Sequence, residues 1–121
     1  MALVSVSVTS CGDDNDSKVA DKEYTMTSGI DWTNEGSLSA AQVIAIDVLG
    51  KSINATNVFA DDADARRALD EVANRVASDI RGNGWIADGA VYTITLTLRN
   101  QNGNTVDTRK IVVNNGSVTV N

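Results

Sequence analysis

The residues that could carry out chemistry in this chain are defined first by the types that are missing. The 121 residues include no histidine and a single cysteine, Cys11. Histidine is the commonest general base and metal ligand, and a disulfide or thiolate zinc cage within one chain needs more than one thiol. The composition therefore excludes a Ser-His-Asp triad, a thiolate zinc site and an intramolecular disulfide.

Acidic side chains are the remaining candidates for catalysis. Asp and Glu number 16 against 10 Lys and Arg, which gives a net charge of -6. A pair of acids can meet in a fold without any sequence signature, so a small carboxylate-dependent hydrolase stays open as a minor alternative. No lysine or serine lies in a nucleophile motif. We therefore expect no enzyme and no cofactor, and the acidic charge argues against nucleic-acid binding.

Cys11 lies where the composition of the chain changes. Residues 2–10 are small and apolar, and they are too few to cross a bilayer, which needs about 20 residues. They are typical of the end of a secretory h-region followed by small residues at a cleavage site. Because Val4, Val6 and Val8 alternate with other residues, an edge strand is the alternative.

The sequence Val8-Thr9-Ser10-Cys11 resembles the lipobox of bacterial lipoproteins. The resemblance covers this N-terminal segment and leaves the rest of the chain unassigned. It implies that residues 1–10 are removed as the residual signal peptide. It also implies that the Cys11 thiol carries a diacylglycerol and the new amino group an acyl chain, so that the protein is held at a membrane by lipid.

Residues 11–22 are rich in aspartate and poor in apolar side chains, which favours a solvated tether. An acidic cluster directly after the lipidated cysteine resembles the signal that exports some Gram-negative lipoproteins to the outer leaflet. The residues that fit this pattern are Asp13, Asp14 and Asp16. A plain charged spacer is the alternative. We expect an outer-membrane location with the domain exposed at the cell surface.

Residues 23–121 are predicted to form a single folded domain. Apolar and polar side chains alternate over residues 23–32, which predicts a half-buried strand. Residues 38–53 predict a helix with Ser39 and Gln42 as its capping box, although the β-branched residues of this segment leave a strand as the alternative. The apolar face expected of this helix consists of Leu38, Ala41, Ile44, Ala45, Val48 and Leu49.

Residues 61–81 predict a longer helix with an acidic first turn, where the helix dipole favours negative charge. Its buried stripe is expected to include Ala65, Leu69, Val72, Val76 and Ile80.

From residue 90 onward the pattern predicts a meander of three strands. Asn102-Gly103 and Asn115-Gly116 are strong hairpin signals, and together they place Ile111 opposite both Ile94 and Val120. Near the first turn the match of side chains fails, since Leu98 falls opposite Asp107. We expect a bulge or a longer loop there.

These elements predict an α+β fold with the order β-α-α-β-β-β, in which two helices cover one face of a four-stranded antiparallel sheet. The other face is expected to be polar and solvated, and a docking surface is its functional alternative. The side chains assigned to this open face are Thr25, Thr27, Thr93, Thr95, Thr97, Arg99, Thr108, Lys110 and Thr119.

The sequence does not define a molecular function, and two hypotheses lead. The first is a lipid-anchored binding module that meets an envelope protein or a glycan through the open face or residues 82–89. Trp85 in that loop could contact a ligand or could close the core. The second is a structural subunit of an envelope assembly, with free strand edges at residues 23–32 or 117–121.

Overall fold

The computed structural model describes residues 22–121. Cys11, Asp13, Asp14, Asp16 and the segment 1–10 lie outside the described residues. The elements in chain order are β1 (Lys22–Asn34), α1 (Ala40–Ser52), β2 (Asn54–Phe59), α2 (Asp62–Gly82), β3 (Val91–Asn100), β4 (Thr105–Asn114) and β5 (Ser117–Val120).

The strands form one antiparallel sheet in the order β2-β1-β3-β4-β5. The predicted α+β class is confirmed, but the prediction of four strands is wrong because β2 was missed. That strand is six residues long and has a single neighbour, β1. Five of its residues are exposed, so they carry no apolar alternation from which a half-buried strand could be recognised.

The central strand β3 determines the two faces of the sheet. Its side chains alternate between buried and half-buried positions from Val91 to Leu98. The expected pairs of Ile111 with Ile94 and with Val120 are confirmed. The register also shifts after Leu98 as β3 approaches its turn to β4, which confirms the expected irregularity at that end.

Helix α1 is confirmed, and so is its capping box: Ser39 N–H donates to Gln42 Oε1 (2.9 Å) and Gln42 N–H to Ser39 Oγ (3.2 Å). The expected apolar face is wrong in part, although Leu38 is buried and Leu49 packs against the core as predicted. Ile46 and Gly50 are the buried residues of the helix, whereas Ile44 and Val48 are 65% and 60% exposed.

Glycine explains which side of α1 faces the sheet. A Cβ atom added at Gly50 would lie 2.8 Å from Ile30 Cβ on β1, so the missing side chain permits a close approach of helix and strand. The sequence is apolar on more than one side of this helix, and periodicity therefore could not identify the side that packs.

Helix α2 follows its prediction closely. Asp61 is the N-cap, and its carboxylate accepts a bond from the Asp64 N–H at 2.9 Å. Four residues of the expected stripe are buried and Val72 is partly buried against the same core. Both helices contact the face of β1 that carries its buried residues: Tyr24 reaches α2, and Trp32 reaches α1.

The two helical glycines allow a matched test of the α1 packing. We expect Gly50→Ala to lower the free energy of unfolding by about 1 to 3 kcal/mol, because the new methyl group overpacks against Ile30. Gly82→Ala should raise it by about 0.5 to 1 kcal/mol, since no atom lies within 4 Å of the added Cβ and alanine favours the helix. Urea denaturation measures both changes. Equal stabilisation by the two substitutions would contradict the close approach.

Candidate interaction surfaces

The open face of the sheet carries the threonines expected from the sequence. Across the strands, Thr27 pairs with Thr97 and Thr97 with Thr108, so their side chains share one face. Arg99 Nη1 donates to Thr27 Oγ1 at 3.3 Å on the same side. The pairing of the remaining strands places every residue assigned to this face on the side away from the helices.

Strand β2 enlarges the open face beyond the prediction. Asn54, Thr56 and Val58 pair with residues of β1 that belong to this face. Thr56 Oγ1 lies 3.2 Å from Thr25 Oγ1, which continues the row of hydroxyl groups to the margin of the sheet. The weak sequence signal for these residues was their β-branched alternation at Thr56 and Val58.

Gly29 interrupts the row of side chains on this face. It pairs with Thr95, is exposed, and has no heavy atom within 4 Å of an added Cβ. Neighbouring strands are about 4.8 Å apart, and side chains on one face repeat about every 7 Å along a strand. The missing side chain therefore leaves a shallow depression beside Thr95 and Lys110, which pair with each other.

Trp85 lies in the loop between α2 and β3 and is half-buried against the core. Its backbone N–H donates to the Ile80 carbonyl at 3.0 Å, and its carbonyl accepts the Tyr92 hydroxyl at 2.7 Å. At the far end of the loop, Gly89 N–H donates to Asn115 Oδ1 at 2.8 Å. These hydrogen bonds hold the loop in place, with Trp85 at the boundary of the core. A ligand contact by the exposed part of the Trp85 side chain stays a prediction.

Charged side chains join α2 to β4. Arg109 contacts Asp70 of the helix (Nε to Oδ1, 2.6 Å) and Asp107 of its own strand (Nη1 to Oδ2, 2.8 Å). Arg66 Nε lies 3.6 Å from Asp107 Oδ2. The mismatch of Leu98 with Asp107 was the sequence signal for this cluster, because the polar residues of β4 face the helix there instead of the apolar core.

The electrostatics of this cluster favour a structural role. Hydrogen bonding from the Thr108 backbone, followed by the Arg109 side chain, holds the pKa of Asp107 below its usual value. A general acid in a glycosidase-type pair needs a raised pKa instead. The carboxylates of Asp70 and Asp107 are both occupied by Arg109, so the cluster gives no support to a hydrolase.

Two tyrosines of the core have raised pKa values. The Tyr24 hydroxyl donates to Asp62 Oδ1, and this hydrogen bond is the main cause that raises the pKa of Tyr24 to about 12. Burial raises the pKa of Tyr92. Both groups are neutral at physiological pH, and their hydroxyls connect β1 and β3 to α2 and to the Trp85 loop.

Metal-ion clusters and membrane-spanning helices are both absent from residues 22–121. No group of three or more acidic or cysteine side chains in this range is placed to hold a metal ion. None of its helices is long and apolar enough to cross a membrane.

No protein-family model, no curated protein and no solved structure matches the chain. The candidate surfaces are therefore defined by the geometry of this chain alone.

The Asp107 cluster predicts a specific acid dependence of stability. A lowered folded pKa means that ionised Asp107 stabilises the fold above its unfolded pKa of about 3.9, and that this contribution is lost as pH falls through the lowered value. Asp107→Asn should cost about 0.5 to 1 kcal/mol at neutral pH. It should also lose less free energy of unfolding than the original chain between about pH 5 and pH 2.

Urea denaturation at several pH values measures this difference. Asp31→Asn is the matched control, because it removes one carboxylate from the open face that has no ion pair among the described residues. An Asp107→Asn variant with the same acid slope as the original chain would contradict the assignment.

Proposed function

We propose that the chain is a lipid-anchored protein of the bacterial cell envelope whose folded domain is an interaction module. The anchor is supported by the lipobox-like Val8-Thr9-Ser10-Cys11 and the acidic stretch that follows it. The interaction role is supported by one observation above all. Both helices pack on the same face of the sheet, and among residues 22–121 no element covers the other face.

The open face has the chemistry of a surface that binds polar ligands. Its hydroxyls can donate and accept hydrogen bonds, and Arg99 and Lys110 add positively charged donors. The side chains stand on strands, which hold a binding constellation more firmly than loops do. A glycan or a polar protein surface of the envelope is the ligand class that fits this arrangement.

The proposed anchor would hold the domain at the outer membrane, with exposure at the cell surface. Lipidation of Cys11 would supply more than one acyl chain, and one chain alone gives only marginal membrane binding. The tether of residues 11–22 would separate the domain from the bilayer. Asp13, Asp14 and Asp16 would act as the export signal to the outer leaflet.

Strand β2 favours a second candidate function, a structural subunit that adds its edge to the sheet of an envelope partner. The edge that we expected at residues 23–32 is covered by β2 over Lys22–Thr27. The margins of the described sheet are β2, which was not expected, and β5, which belongs to the other expected edge at residues 117–121. An unpaired strand at a margin can extend a partner's sheet.

Mass spectrometry tests the proposed anchor directly. The full chain produced in a Gram-negative host should begin at Cys11 and carry the thioether-linked diacylglycerol and an amide-linked acyl chain. Cys11→Ser should leave the chain unlipidated and uncut, because the hydroxyl is a poorer nucleophile than the thiolate. An unmodified cysteine in an uncut chain would exclude lipid anchoring.

Replacing Asp13, Asp14 and Asp16 with asparagine should keep the lipid on Cys11 and reduce cleavage of the domain by a protease added outside the cells.

The open face can be tested with a substitution that does not weaken the fold. Gly29→Thr adds a side chain where no atom lies within 4 Å, and threonine suits a strand better than glycine. We expect the free energy of unfolding to rise by up to about 1 kcal/mol, while recovery of envelope partners or binding to a glycan array falls at least about tenfold.

Asn74→Thr on the exposed side of α2 is the matched control and should leave binding unchanged. If Trp85→Ala loses binding while Gly29→Thr keeps full binding, the ligand contacts the Trp85 loop and not the open face. Full binding by both variants would exclude both predicted contacts.

A further inference from the structure

The two margins of the sheet differ in how their outward backbone groups are satisfied. On the β4 and β5 side, arginine side chains donate to the edge carbonyls: Arg66 to Val106 (3.4 Å), Arg81 to Val118 (3.1 Å) and Arg109 to Thr108 (2.9 Å). Charged side chains along an edge prevent pairing with another chain. This margin is therefore protected.

The direction of the backbone groups at the other margin follows from the hydrogen-bond ladder. Lys110 and Asn121 exchange two backbone N–H···O=C hydrogen bonds (3.0 and 2.8 Å), so the backbone N–H and C=O groups of Lys110 point toward β5. Successive residues of an antiparallel strand point their backbone groups to opposite neighbours. The same alternation, applied to the residue pairs of β4 with β3, β3 with β1 and β1 with β2, gives the direction in β2. The backbone N–H and C=O groups of Ala55 and Asn57 point toward β1. The groups turned outward are those of Asn54, Thr56 and Val58.

Among the described residues, none of the devices that protect a sheet edge is found at strand β2. Residues 52–60 contain no charged residue and no proline, and the pairing of β2 with β1 has no register shift. Within residues 22–121, no side chain bonds to the outward backbone groups of β2. The large hydrophobic residues that are exposed within residues 22–121 all belong to α1 and β2, namely Ile44, Val48 and Val58.

We propose that β2 pairs in antiparallel fashion with β2 of a second copy of this chain, around a two-fold axis at Thr56. The outward residues then face one another in matching pairs: Thr56 lies opposite the partner's Thr56, and Asn54 lies opposite the partner's Val58. This register makes about six backbone hydrogen bonds and continues both sheets into one. The hydroxyl contact of Thr25 with Thr56 extends across the axis.

Charge supports the antiparallel self-pairing over a parallel one. A basic side chain, Lys51, precedes β2, and Asp61 and Asp62 follow it. Antiparallel pairing brings Lys51 of one copy toward the partner's Asp61 at both ends of the interface. The uncharged strands meet in the middle, so two copies with a net charge of -6 each do not oppose like charges there.

The size of the proposed β2–β2 interface indicates how tightly the two copies should associate. The five residues that pair in this register, Asn54 to Val58, span about 17 Å, and a contact well below about 1,000 Å² is typical of weak or transient association. We therefore expect a reversible dimer in solution. The inference does not depend on lipid anchoring, although confinement to a membrane would raise the effective concentration.

Cysteine cross-linking tests the register. In the full chain with Cys11→Ser, Thr56→Cys places two thiols on the proposed axis. A hydrogen-bonded antiparallel pair has a Cα separation of about 5.5 Å, which lies within the range of a disulfide. Thr119→Cys is the matched control, an exposed threonine on the protected edge strand. We expect Thr56→Cys to form covalent dimers at least about tenfold faster.

Sedimentation of variants without engineered cysteines tests the association itself. Thr56→Pro removes an outward N–H, so it costs no backbone hydrogen bond within the chain and should yield a folded monomer; like Thr56→Val, it also loses the hydroxyl contact with Thr25. Thr56→Val keeps the N–H and should still dimerise. Both variants should show the circular dichroism of the original chain, which separates loss of pairing from loss of folding.

The proposal is overturned by a chain that stays monomeric at about 1 mM while Thr56→Cys cross-links no faster than Thr119→Cys. A monomer whose outward β2 amides resist hydrogen exchange would also overturn it, because the segment before Lys22 would then occupy the edge. Dimers that form equally well with Thr56→Pro would place the contact elsewhere.

Discussion

The alternating burial of β3 is the constraint on which the rest of the structure depends. Tyr92, Ile94 and Leu96 are fully buried, and the threonines between them face the other way. Because β3 pairs with both β1 and β4, its alternation assigns the facing side chains of its neighbours to the same two sides. The helices must then cover the apolar side, and the hydroxyl-rich side remains available. The core and the candidate surface are two consequences of one pattern.

The same pattern explains why the meander and α2 could be predicted from the sequence. Asn102-Gly103 and Asn115-Gly116 fix turns locally, and α2 has a single apolar stripe with an acidic start. For these elements, local propensity and the tertiary environment agree. The open face followed from them, since the threonines of β3 and β1 alternate with the buried side chains. Its extension onto β2 did not, because that strand offered no apolar period.

The packing of α1 shows what periodicity cannot decide. Val43, Ile44, Ile46, Val48 and Leu49 surround the helix with apolar side chains, so several faces could have been buried. The choice was made by the absence of a side chain at Gly50, which lets Ile30 approach. A close contact of this kind depends on the partner element and is not visible in the helix alone. Its consequence is that Ile44 and Val48 stay exposed.

The proposed anchor and the proposed dimer place geometric demands on each other. The proposed tether would join the domain at Lys22, which pairs with Phe59 at the end of β2. A two-fold axis at Thr56 puts the two tethers at opposite ends of an interface about 17 Å long. A chain the length of residues 11–22 reaches at most about 40 Å, so both copies can remain anchored in one membrane. If the axis stood normal to that membrane, the joined sheet would lie along the surface, and one entire face, helical or hydroxyl-rich, would point outward from the cell.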